Sequence, residues 1–456
     1  MRSPVALIPV SLAAYFLCPG PLAAEEGNVT FNRQIAPIIY QNCAPCHRPG
    51  EAAPFPLLSY ENVVKKGKAI AKITAARFMP PWQPEAASFA YRDERRLKEA
   101  DIALIQKWVA DGMPEGAAAE KPPAPQFPSG WRLGEPDLVV EMPAAYHVPA
   151  GGPDIYRNIA VSLGLGEEKW LTAIDMRPSA RAVVHHVLYF ADPAGHAHER
   201  NKAGEEPGFS GMRPGGAAVP LGGWAVGAQP HFFPEGLALR VPKGADLVIQ
   251  YHFHPSGKPE AEKSLIGLYF AKEAPKRTLT RIQMPPDYAL FSGLNIPAGE
   301  KDFVIRDSYT LPRNIEAVGV GAHAHYLARA MKMTATFPGG DVKTLLNIQD
   351  WDFAWQDRYF FQEFQKLPQG TRLDVEIHWD NSAANPRNPS HPPIPVEWGE
   401  QTKDEMGSIS LMAVPGSEAD LRPLQASLNR RRNDLAREKM QTDPDLARKV
   451  ARLLAQ

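Results

Sequence analysis

The sequence is short of cysteine. Its 456 residues hold 3, and Cys18 lies in an N-terminal stretch that reads as a removable export signal. Cys43 and Cys46 are left, three positions apart, which excludes the disulfide framework of small secreted folds. An excess of charge is also missing. Lys and Arg number 50 against 51 Asp and Glu, a formal net charge of −1, so nothing draws the chain to nucleic acid or an anionic membrane. No stretch reaches the roughly 18 apolar residues of a membrane helix. Proline, by contrast, is plentiful: 46 residues, about twice the usual ~5%. That disfavours a helical bundle and favours turns and edge strands.

Arg2 precedes an apolar run from Val5 to Leu17, and Leu22-Ala23-Ala24 supplies small residues for cleavage. Residues 1–24 are therefore expected to be a signal peptide, and the protein to be periplasmic or secreted without a membrane span. The remaining length suits about three domains.

Cys43-Ala44-Pro45-Cys46-His47 is a C-x-x-C-H motif, the attachment signature of a c-type haem. Two thioethers would hold the haem and His47 would ligate iron. A redox C-x-x-C would need a βαβ context, and a zinc site would need a second ligand pair. Phe31, Ile35, Ile38 and Ile39 before the motif recur at helical spacing, as do Ile102, Ile105, Trp108 and Val109 after it, with Gly112 as C-cap. Residues 28–116 thus read as a small all-α cytochrome c domain. Met79, in the proline-fixed segment Arg77-Phe78-Met79-Pro80-Pro81-Trp82, is the expected second axial ligand, ahead of Met113. Residues 117–130, rich in alanine and proline, read as a linker.

From Trp131 to about Val414 the pattern changes to short apolar or β-branched runs broken by Pro and Gly, such as Leu138–Met142, Ala182–Phe190, Leu247–Phe253 and Ile409–Val414. This predicts a mainly β region of two antiparallel β-sandwiches, 131–272 and 273–415. Histidines fall inside these runs in pairs: His185-His186, His252 with His254, and His323 with His325. Burying that many imidazoles without partners is costly. His323 and His325, two apart on a strand, share a face and make a ready metal site. Adjacent His185 and His186 point to opposite faces of a regular strand, so both reach one metal only at a bulge, a twist or a strand end. His147, His196, His198, His231, His378 and His391 lie in polar or proline-rich segments and are expected at the surface or behind a ligand.

Four pieces, in order, resemble a known family: Val184-His185-His186-Val187, Gln250-Tyr251-His252, Ala322-His323-Ala324-His325 and Asp404-Glu405-Met406. The family is the copper type II, ascorbate-dependent monooxygenases, which includes peptidylglycine α-hydroxylating monooxygenase and dopamine β-monooxygenase. The resemblance covers roughly residues 135–415. It implies two jelly-roll-like sandwiches with one copper in each, separated by a solvent cleft. It implies that His185, His186 and His252 hold an electron-storing copper. It implies that His323, His325 and Met406 hold the copper at which oxygen binds and a substrate is hydroxylated. Imidazole and thioether together suit a copper that cycles through Cu(I). His254, beside His252, is read as structural or second in line. The animal members carry disulfides that this region cannot form.

Together these readings describe an exported copper monooxygenase that hydroxylates an sp³ C–H of a small organic or peptide substrate with O₂. Its cofactors are two copper ions and one haem. Electrons come through the haem from a periplasmic donor, from ascorbate, or from both. A non-catalytic haem and copper protein, or an oxidase that returns oxygen only to water, stays open on sequence alone. Residues 416–456 are expected to form a helical tail. Leu424, Leu428 and Leu435 recur at helical spacing, Asp443-Pro444 starts a second helix, and Leu446, Val450, Leu453 and Leu454 form its apolar stripe. Arg430-Arg431-Arg432 reads as a solvated face.

Overall fold

A computed structural model describes residues 28–456 apart from 52, 129, 202–205, 212–217, 226–227 and 456. The expected signal peptide and Cys18 lie outside the described residues. The chain is mainly β, with helices at its two ends.

The N-terminal segment is helical: α1 (Ala36–Asn42), α2 (Tyr60–Val64), α3 (Gly67–Ala75) and α4 (Glu99–Ala110). Local chemistry satisfies free backbone groups at the ends of α2 and α4. The Ser59 hydroxyl accepts from the Asn62 amide (3.3 Å) ahead of α2. Asp111 caps α4 and Gly112 follows in the left-handed region (φ 84°). Phe31, Ile35, Ile39, Ile105 and Trp108 build its core, so the two apolar stripes read from sequence meet each other.

This segment does not keep to itself. After α3 the chain leaves as an arm that pairs with the last β unit, through the bridges Pro84–Ile348 and Tyr91–Phe361. The Tyr91 hydroxyl donates to the Leu345 carbonyl (2.6 Å) and its ring is buried in that unit's core. The described residues among 117–130 then run mostly exposed along the surface.

The first β unit contains β1 (Leu138–Glu141), β2 (Ile155–Ser162), β3 (Lys169–Arg177), β4 (Val184–Asp192), the short α5 (His196–Asn201), β5 (Val219–Ala225), β6 (Leu237–Val241), β7 (Asp246–Phe253) and β8 (Leu265–Phe270). One sheet runs β1-β8-β3-β6 and ends in a parallel pairing of residues 277–278 with β6. The other runs from residues 209–210 through β2-β7-β4-β5. Leu171, Ile266 and Leu268 of the first sheet and Ile159, Val187, Ile249 and Tyr251 of the second share one core, so the sheets pack face to face.

The second β unit repeats the plan with β9 (Thr280–Met284), β10 (Phe303–Thr310), β11 (Ile315–Ala324), β12 (Ala328–Thr336), β13 (Val342–Ile348), β14 (Arg358–Leu367), β15 (Arg372–Trp379) and β16 (Gly407–Pro415). Its sheets run β9-β16-β11-β14 and β10-β15-β12-β13. All these neighbours are antiparallel.

The chain closes with α6 (Glu418–Thr442) and α7 (Pro444–Ala455). Asp443 caps α7 by accepting from the Leu446 amide (2.9 Å). Leu424 is fully buried, and Leu428, Leu435, Leu446 and Val450 pack on the core of the second β unit. Arg431 is not part of a solvated face: it pairs with Asp307 and lies over the Tyr309 ring (5.5 Å).

Candidate metal centre

The first histidine set is built by a defect in strand pairing. Along β4 and β7, Val184 faces Phe253 but His186 faces His252, so one extra residue, His185, is accommodated between them. This β-bulge lets two neighbouring side chains serve the same side of the sheet. It meets the condition that adjacent histidines impose. His185 Nδ1 lies 3.1 Å from His186 Nδ1, which lies 3.2 Å from His252 Nδ1. The three residues form a group whose ligand atoms could hold one metal ion.

The ring nitrogen that faces away from that point is accounted for at His252. Its Nε2 donates to Asp154 Oδ2 (3.0 Å), which fixes the tautomer and leaves the Nδ1 lone pair inward. His254 donates to the other oxygen of Asp154 (2.8 Å), and Thr402 of the second β unit donates to the first. His254 thus stands behind the set rather than in it. Burial opposes the charge on Asp154, but the hydrogen bonds from His252, Thr402 and His254 outweigh it and hold the carboxyl below its ordinary range. Tyr156 stacks on His252 with centroids 4.4 Å apart.

The second set lies at the end of β11. His323 pairs with Ser408 and Ala324 with Gly407 of β16. Met406, 4% exposed, directly precedes Gly407, the partner of Ala324. His323 Nδ1 donates to Gln356 Oε1 (2.6 Å) and His325 Nδ1 to the Asp404 carbonyl (3.0 Å). Both Nε2 lone pairs are left for a ligand. Glu405 organises the corner: its carboxyl oxygens accept from the amides of His325 (3.1 Å), Leu327 (2.6 Å) and Met406 (3.2 Å) and from Trp379 Nε1 (3.1 Å).

Burial keeps His185, His186, His323 and His325 neutral. It pushes His185 down to about 3, His323 to about 4, His325 to about 3, and His186 well below its ordinary value. Neutral imidazole is the form that binds a metal ion.

The two sets approach each other through Phe353, 4% exposed. His185 stacks on its ring (4.6 Å, 20°) and His325 meets it edge-on (5.7 Å, 79°). Phe353 thus touches one histidine of each set.

The cysteine motif forms one tight turn, in which the Cys46 and His47 amides donate to the Cys43 carbonyl (3.1 and 2.9 Å). His47 Nδ1 donates to the Phe55 carbonyl (3.1 Å), leaving Nε2 uncommitted. Burial lowers the His47 pKa against the opposing effect of that carbonyl. Met79 is half-buried after α3, while Met113 packs into the helical core. The turn is pinned to the first β unit. Glu51 pairs with Arg48 (3.0 Å), Arg132 and Arg181 (3.3 Å), and Gln229 Nε2 lies 3.7 Å from Cys46 Sγ.

Asp154, Phe353 and Gln356 had no signal in the sequence. They sit in connecting segments, and their partners come from other strands. His147 and His391 are exposed, His196 and His198 belong to α5, His231 lies 3.8 Å from Asp93, and His378 bonds Asp302 and Glu376.

No family model matches the chain. Over 209 residues it is 24% identical to DBH-like monooxygenase protein 1 of Gallus gallus. The match takes in 42% of this chain and 32% of that protein, so the chain spans about a third of the length of the curated relative it matches. Among solved structures, the major capsid protein P2 of bacteriophage PM2 is similar at a TM-score of 0.22 and 13% identity, over 61% of this chain and 97% of that one. PNGF-II is similar at 0.24 and 8%, over 61% and 65%. Neither superposition carries an argument about fold or function. The chain is thus similar in part to a DBH-like monooxygenase, and its described residues bring His185, His186 and His252 into a group fit for a metal ion.

Proposed function

We propose that this protein is a copper-dependent monooxygenase that hydroxylates an sp³ C–H of a small organic or peptide substrate with O₂. The observation that carries the reading is the bulge at His185, which turns the nitrogens of His185, His186 and His252 onto one point. A strand has no packing reason to gather three imidazoles this way. The partial likeness to a DBH-like monooxygenase supports the same chemistry.

In this reading His185, His186 and His252 hold one copper, and His323, His325 and Met406 hold the second. Copper bound there supplies redox chemistry at oxygen. The protein's own part is to orient and to exclude water. Asp154 fixes the His252 ring, Gln356 and the Asp404 carbonyl fix His323 and His325, and Glu405 holds the backbone on which His325 and Met406 sit. Phe353 lies between the sets, where it keeps water from the direct line. The reading includes the family's architecture, with residues 131–272 and 273–415 as two jelly-roll-like units.

The reading also includes a covalent c-type haem on Cys43 and Cys46, with His47 and Met79 as iron ligands, in a cytochrome c-like unit of residues 28–116. Its support is that both thiols and the uncommitted His47 Nε2 share one turn. Exposed Phe78, next to Met79 in the chain, and Ile73, whose carbonyl accepts from the Phe78 amide (3.1 Å), leave apolar surface for a macrocycle to cover. A cavity lined by Cys46, Ala228 and Gln229 adjoins one lined by Ala228, Trp355 and Gln356, and Gln356 touches His323. That arrangement supports electron delivery from the haem segment, fed by a periplasmic donor or working alongside ascorbate. Residues 1–24 would export the chain to the periplasm or beyond, and residues 117–130 would link the haem unit to the rest. The test is to expose anaerobically reduced protein and a panel of small organic and peptide substrates to labelled O₂. Label in an organic product is expected. Label found only in water would sink the hydroxylase reading.

A further inference from the structure

The C-terminal helices and a strained turn are left over by the proposed function, and they touch each other. Asp287, Tyr288 and Ala289 all lie in the left-handed region, with φ of 49°, 54° and 69°. Consecutive side-chain-bearing residues rarely adopt it, because Cβ crowds the following carbonyl. Such strain persists only where surrounding contacts enforce it, and it concentrates at functional sites. The turn delivers the Tyr288 ring edge-on to His323, with centroids 5.1 Å apart at 75°.

Two cations of the tail enforce it. Arg432 of α6 donates to Asp287 Oδ2 (2.6 Å), at the start of the turn. Lys449 of α7 donates to the Trp398 carbonyl, lies over the Trp398 ring (5.7 Å) and sits 3.5 Å from Glu397. Trp398 Nε1 in turn donates to the Tyr288 carbonyl (3.0 Å). The same tryptophan reaches the other side of the half-site. It bridges to Glu405, whose amide donates to the Glu397 carbonyl (3.0 Å) and whose carboxyl group holds the amides of His325 and Met406. Exposed ion pairs are weak alone, but these two are held in place by Leu428, Leu435, Leu446 and Val450 packed on the core beneath.

The geometry points to the C-terminal tail as a brace for the His323/His325/Met406 half-site. Arg432 and Lys449 are its positioning residues, acting through Tyr288 and Trp398. The inference rests on the proposed reading of that half-site as a copper site. The tail thereby sets the rings of one half-site and leaves the other alone.

The test compares the full-length protein with an Arg432→Ala/Lys449→Ala double variant and with Arg432→Lys and Lys449→Arg, after thermal melts show that each is folded. In the metal-free protein, histidine-selective NMR should show the His323 ring signal shifted in the double variant while those of His185 and His186 stay. Copper titration against a chelator should show the second site weakened roughly tenfold, the lower end of what outer-shell changes cost. The first site should be unchanged, and the conservative variants should behave as the parent. An unmoved His323 signal, or equal weakening of both sites, overturns the brace. A shifted His323 signal in a protein that binds only one copper supports the brace and removes the copper reading of that half-site.

Discussion

His186 and His252 face each other across β4 and β7 with Nδ1 atoms 3.2 Å apart, directly beside the bulge that turns His185 toward them. Asp154 holds the far side of His252 and ties it to Thr402 of the second β unit. Removing that carboxylate should therefore act on the metal before it acts on the fold. Asp154→Asn is expected to lower copper affinity at this site about 10- to 100-fold. Competition titration of metal-free protein checks it, with the His323 site as internal reference.

Phe353 ties the two histidine sets together. Phe353→Ala removes the ring contacts to His185, His325 and Tyr326 (4.7 Å) and leaves a cavity. The expected loss is about 3 kcal/mol, against less than about 1.5 for Phe353→Leu, which keeps most of the volume. Chemical denaturation measures both.

The helical segment should come loose when Glu51 does. Three arginines, Arg48, Arg132 and Arg181, converge on one carboxylate whose side chain is only 10% exposed. Glu51→Gln leaves their charges facing each other, at a cost of about 3 kcal/mol. Limited proteolysis within residues 117–130 should accelerate, while copper binding by the β units stays as in the parent.

His378 carries a pH dependence of known sign. Burial alone would lower its pKa, but Asp302 (2.6 Å) and Glu376 (2.7 Å) outweigh burial and raise it. A raised folded value stabilises in full below the unfolded pKa near 6.5 and is lost as pH rises through the folded value. The effect is under about 1 kcal/mol because its carboxylate partners face solvent, which screens the pairs. Melting temperature should fall slightly as pH rises above about 6.5, and His378→Gln should flatten that slope.

Much of the candidate site is legible in the sequence because its chemistry is carried by residue identity. Paired histidines inside apolar runs announce themselves, and so does the demand of His185-His186 for an irregular strand. The bulge that meets the demand depends on the register between β4 and β7, which no local pattern encodes. The strands themselves are legible too: Leu247–Phe253 reads as a short apolar run and lies within β7, which is buried throughout. Asp154, Phe353 and Gln356 are ordinary loop residues until two β units fold against each other. The arm through Tyr91 is hidden likewise, since nothing around it says that its partner is β14. Arg431 reads as solvated because its partner, Asp307, is far away in the chain.

The most direct measurement is the copper content of protein matured in an export-competent host with c-type haem assembly, expressed per haem. About two coppers are expected, falling to about one in Met406→Ala, since the thioether would complete the second set. One copper or none in the parent protein would contradict it, and would leave the histidines of the second set, or of both, as structural residues of the β units.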